Sequence, residues 1–138
     1  MDLEECYKNG FIKKTRIDKE LIKSLIEMSK IKEDSVNNAR VNEINISAYV
    51  SMAYDSLREI LEALCILKEY KVTSHICLGE LLKTLIPNFD FNGFDRFRYI
   101  RNGINYYGTK IDYQQGKEII IKMFRLKSEI IKYHLKNI

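Results

Sequence analysis

The residues best equipped for chemistry lie together between positions 94 and 108, in the run Phe94-Asp95-Arg96-Phe97-Arg98-Tyr99-Ile100-Arg101-Asn102-Gly103-Ile104-Asn105-Tyr106-Tyr107-Gly108. Helical spacing sets Phe94, Phe97, Ile100 and Ile104 on one inward face. Arg101 falls within that apolar stripe, between Phe97 and Ile104. A guanidinium keeps its charge and is costly to bury alone. Arg101 must therefore meet a carboxylate, reach an interface or line a cleft. A structural ion pair with Asp55, Glu59 or Glu62 would meet that need. So would a site that holds a phosphate, for which the planar guanidinium is well shaped. Tyr99, Asn102, Asn105 and Tyr106 occupy the adjoining faces and supply hydrogen-bonding and stacking groups. Arg96 and Arg98 add positive charge.

Other chemistries find little support. There is no Gly-x-x-x-x-Gly-Lys loop for nucleotide phosphates and no Glu-x-x-His pair of the di-iron type. His75-Ile76-Cys77 offers two metal ligands at an uninformative spacing, so neither a metal nor another cofactor is expected. With only His75 and His134 available, no Ser/His/Asp or Cys/His arrangement can be assembled.

The elements that must position these residues read as helices throughout. A short first helix is expected over 2–9, stopped by Gly10, with a connector over 11–17. Asp18 caps a second helix running to about residue 40, whose apolar positions are Leu21, Ile22, Leu25, Ile26 and Met28. The third, over 45–70, has the broadest apolar face: Ile46, Val50, Ala53, Leu57, Ile60, Leu61, Leu64 and Leu67. Tyr49 and Tyr54 flank that face, and Asp55, Glu59 and Glu62 are expected on the other side. Ser74 caps a fourth helix over 75–86, ended by Pro87. Asn92 and Asp95 resemble a capping pair for a fifth over 93–107, closed by Gly108. Asp112 with Gln115 begins the last, over 112–136, with a stripe of Ile119, Ile120, Met123, Leu126, Ile130, Ile131 and Leu135. No strand alternation, repeat or linker interrupts this series.

The expected fold is therefore all-α: one domain over 1–138, an antiparallel up-and-down bundle of four main helices with short extra ones. Apolar residues at 46% can build a core, and charged residues at 30% can cover it. One proline and six glycines argue against a loop-rich β protein or a disordered tail. No apolar run reaches the roughly 20 residues that span a bilayer, and the acidic start Met1-Asp2-Leu3-Glu4-Glu5 lacks a signal core. A cytoplasmic protein is expected, with no membrane contact. On that reading Cys6, Cys65 and Cys77 are reduced and mostly buried thiols. The net charge of +4 is uneven. Residues 96–138 carry ten Lys/Arg against three Asp/Glu, or +7, and the first 95 residues stand at −3. The basic third is either a solvated helix face or a surface that attracts phosphate.

The run from Phe94 to Gly108, the stretch Tyr54 to Leu64 (YDSLREILEAL) and the segment Glu69 to His75 resemble the HEPN domain family, in particular its short stand-alone prokaryotic and archaeal members. The similarity covers most of the chain in helix order and spacing. It implies a helical bundle that usually dimerises. In that family's ribonucleases, an arginine, a polar residue and a histidine a few positions on face their copies across the dimer cleft and cut RNA without metal. Other members pair with a small nucleotidyltransferase, as a toxin–antitoxin couple or a substrate-binding subunit. Arg101 and Asn102 match that signature, and the histidine position falls on Tyr106. Tyrosine, with an ordinary pKa of about 10, is a poor proton shuttle near neutrality. Losing the histidine should remove acid–base catalysis worth roughly a hundred- to ten-thousand-fold. The resemblance thus implies a homodimer that binds a nucleotide, RNA or a nucleotidyltransferase partner through Arg98, Arg101, Asn102, Asn105, Tyr106 and Tyr107. The alternative it implies is an active metal-independent endoribonuclease using Arg101 with Tyr106 or His75. Tyr106 and Tyr107 are further candidates for nucleotide transfer by a partner enzyme.

Overall fold

The computed structural model describes residues 1–136. Six helices and one small two-stranded sheet follow in order: α1 (Leu3–Lys8), β1 (Ile12–Lys14), α2 (Lys19–Asn38), α3 (Ile46–Leu67), β2 (Tyr70–Val72), α4 (His75–Leu85), α5 (Phe91–Tyr107) and α6 (Tyr113–His134). The result is an all-α helical bundle, as the spacing of apolar residues predicts.

Helix α3 is its axis. Val50, Ala53, Tyr54, Leu57, Leu61 and Leu64 are fully buried. Helices α2 and α6 pack along its length, and α4 and α5 pack on each other with α5 also against α3. Gly116 allows α6 to approach α3: a Cβ there would collide with the side chain of Ile46. One large buried cluster takes residues from every helix, from Cys6 in α1 to Ile130 in α6.

The helix ends follow local chemistry. Asp18, Ser74 and Asp112 accept from the backbone N–H three residues on, at 3.0, 3.4 and 3.1 Å. Gly108 ends α5 in the left-handed region (φ 65°), where a side chain would be strained. The expected start of α5 needs correction. Asp90, not Asn92, is the N-cap, accepting from Gly93 N at 3.0 Å, so the helix begins at Phe91.

Three further expectations are overturned. Strands do exist: β1 and β2 pair antiparallel, Ile12 opposite Val72. Each is three residues long, too short to show an alternating pattern. Cys6 and Cys77 are not reduced thiols but are joined in a disulfide that ties α1 to α4, with Cα atoms 5.7 Å apart. Only Cys65 is a free thiol, and burial pushes its pKa up to about 12. Finally, the apolar repeat of α2 is not buried throughout: Leu21 and Met28 are exposed, while Ile22, Ser29 and Val36 face inward. Among the described residues no helix is long and apolar enough to cross a membrane.

A buried polar layer crosses α2, α3 and α6. Ser29 and Ser56 exchange hydroxyl-to-carbonyl bonds of 2.6 and 2.7 Å. The ammonium of Lys127, buried from solvent, donates to Ser29 O (3.2 Å) and Ser56 Oγ (3.0 Å) and pairs with Glu33 at 2.6 Å. Every group in the layer has a partner, as burial requires.

Candidate functional site

Helix α5 carries Arg101 against α3. The side chain is 13% exposed, and its Nη2 lies 3.4 Å from Asp55 Oδ1 of α3. Nη1 donates to the Tyr106 hydroxyl at 3.4 Å. With the Asn105 amide turned so that both its ends are satisfied, Asn105 Oδ1 accepts from Arg101 Nε (3.0 Å) and Nη2 (3.2 Å), and its Nδ2 donates to Ser51 Oγ at 2.8 Å. The guanidinium also sits 5.6 Å from the ring centre of Tyr54 and 5.8 Å from that of Tyr106. Four side chains from two helices thus fix the arginine in place.

Of the three carboxylates offered by the sequence, only Asp55 reaches Arg101. Glu62 pairs with Arg58 at 2.9 Å. Glu59 is buried and pairs with Lys32 at 3.0 Å, rather than lying on the outer side of α3. Burial raises the Glu62 pKa, and Arg58 opposes that shift. Arg98 is occupied by Asp95, at 2.9 Å. The arginines Arg58, Arg98 and Arg101 are therefore each matched by a carboxylate. The cluster is compensated rather than strongly positive.

His75, the first residue of α4, belongs to this cluster. Its Nδ1 is 3.2 Å from the hydroxyl of Tyr54, whose ring is buried and stacked on Phe94 with centres 5.9 Å apart. Tyr54 is thus a core residue and not a flank of α3. Burial, followed by the charges of Arg58 and Arg101, lowers the His75 pKa to about 4. Burial likewise raises the pKa of Tyr54. At neutral pH His75 is an uncharged ring.

The exposed side of the site is aromatic. Tyr106 is 68% exposed, Tyr107 is 82% exposed, and Tyr99 is also open to solvent. With Asn102, Gly103 and Thr109 these rings line a depression at the C-terminal end of α5. The structure therefore divides the expected site in two. Arg101 and Asn105 face α3, Arg98 is tied to Asp95 on α5 itself, and Asn102 and Tyr107 line the depression. Tyr106 connects them, since its hydroxyl meets Arg101 while its ring faces outward. No group of three or more metal-binding side chains occurs among the described residues. Ser51, which anchors Asn105, was not singled out in the sequence; its place one α3 turn before Asp55 becomes meaningful only once α5 is seen to cross there.

No family model matches the chain, and no curated protein matches it.

Proposed function

We propose that this chain is a HEPN-like protein that binds the phosphate and bases of a nucleotide or RNA at the Arg101–Tyr106 site, acts as a homodimer and has little or no catalytic activity. The observation that carries the reading is the fixed guanidinium of Arg101 beside two exposed tyrosines, one of them bonded to it. A held arginine binds phosphate oxygens at lower entropic cost than a free one. Exposed tyrosine rings stack on bases with little regard to sequence. The Asp55 contact, at 3.4 Å, is longer than a tight charged hydrogen bond and leaves an incoming phosphate a partner to displace.

Low activity follows from the proton-transfer groups. Tyr106 stands where the resemblance places a histidine. His75, with a pKa of about 4, is a much weaker base than a group matched to neutral pH. The dimer and a nucleotidyltransferase partner rest on the resemblance alone.

One observation favours the alternative, a metal-independent endoribonuclease: His75 and Arg101 share one cluster, linked through Tyr54. Incubating purified protein with RNA in EDTA separates the two. The binding role predicts intact RNA. Degradation that disappears in both Arg101→Ala and His75→Ala would establish the nuclease instead.

A further inference from the structure

Helix α2 leaves a second surface unexplained. It packs extensively only on α3 and stands at the edge of the bundle. Its apolar arc is wider than that neighbour covers. Leu21, Met28 and Ile31 are exposed, Met28 by 44% and Ile31 by 55%, and the exposed Ile17 just precedes the helix. With Ser24 and Ser35 these positions run 17, 21, 24, 28, 31, 35. The alternating steps of four and three are the a/d repeat of a coiled-coil seam. At 100° per residue the helical members fall within about 80° of arc, turned away from the buried Ile22, Ser29 and Val36.

The seam has a charged edge in the same register. Glu20, Glu27 and Asp34 recur every seven residues, each directly before a seam position. Asp34 pairs with Lys30 at 3.2 Å, and among the described residues Glu20 and Glu27 form no ion pair. The opposite edge is closed: Leu25 is partly buried and Lys32 is held by Glu59. Antiparallel two-fold pairing of α2 with a second copy would set the acidic rows against each other, which is unfavourable. A helix with an apolar seam and a lysine- or arginine-rich flank would meet both the stripe and the carboxylates.

We propose that the outer face of α2 docks a basic amphipathic helix of another protein, which lays its apolar seam along Leu21, Met28 and Ile31 and its cations along Glu20, Glu27 and Asp34. The site is separate from Arg101 and does not depend on the reading given to it.

Two fluorescent three-heptad peptides test this, one with Leu at a and d and Lys at e and g, the other identical but with Glu at e and g. Like-charged flanks keep each peptide from pairing with itself. Anisotropy titrations of the full chain should show the Lys peptide binding at least about ten-fold tighter, less so in high salt. Met28→Asp combined with Ile31→Asp should abolish binding even though it adds attraction for lysine, and circular dichroism should show these exposed-site changes leaving the fold intact. Arg101→Ala should bind the peptide as the wild type does. Equal affinity for both peptides would overturn the proposal, as would undiminished binding by the double variant. So would a wild-type dimer in solution that the double variant dissolves, because a second copy would then cover the face.

Discussion

Lys127 and Arg101 pose the same problem to the fold and meet opposite solutions. Each is a cation set inside the apolar stripe of its helix, between Met123 and Ile130 in one case and Phe97 and Ile104 in the other. Lys127 is sealed. Its ammonium meets two serines and Glu33 between three helices. Arg101 is held by Asp55, Asn105 and Tyr106, but Tyr106 carries the network out to an aromatic surface. A buried charge is therefore not by itself a sign of function. What separates the two is how each network meets solvent: through the partly exposed carboxylate of Glu33 in one case, and through the largely exposed ring of Tyr106 in the other.

The largest effect expected from breaking this comparison is on the sealed side. Lys127→Ala removes a buried side chain together with the cation shared by Glu33 and two serine oxygens and should cost about 2–5 kcal/mol, measured by urea unfolding, with nucleotide or RNA binding per folded molecule unchanged. A comparable loss of binding would erase the distinction. Next in size, Tyr106→His should convert the open site toward catalysis. RNA cleavage in EDTA should rise at least about a hundred-fold over the wild type; no gain in a folded variant would mean that the site lacks the geometry for strand scission.

A smaller effect separates His75 from both cations. Its folded pKa of about 4 lies below the ordinary value of 6.5. The unfolded chain therefore takes up a proton first as pH falls. The stability linked to His75 is fully present above pH 6.5 and is lost as pH drops toward 4, by about 1 kcal/mol once solvent screening at this partly buried position is allowed for. His75→Gln should flatten that part of the stability–pH curve relative to the wild type. Of similar size, Ser29→Ala should cost about 1 kcal/mol in thermal unfolding, the usual worth of one net hydrogen bond.

The sequence made the local determinants readable. Asp18, Ser74 and Asp112 each precede an apolar run and each caps a helix, and Gly108 closes α5. Arg101 was legible as an anomaly of pattern, and Asp55 was among the partners it called for. The same anomaly marks Lys127, which lies between Met123 and Ile130 in the stripe of α6. Whatever depends on distant pairing was not legible. The three-residue strands meet across 60 residues, Ile12 to Val72, and the disulfide closes across 71. His75 joins Arg101 only because α4 begins beside Tyr54. The exposure of Leu21 and Met28 was not legible either, because a helical stripe shows which residues share a face, not whether a neighbour covers all of it.

The most direct test of the account is a paired measurement on Arg101→Ala: RNA affinity by fluorescence anisotropy in EDTA, and stability by urea unfolding of the same preparation. A binding arginine predicts an affinity loss of at least about ten-fold with a stability loss of no more than about 1–3 kcal/mol. Unchanged RNA affinity alongside a clear loss of stability would make Arg101 a second Lys127, a charge the fold has merely accommodated.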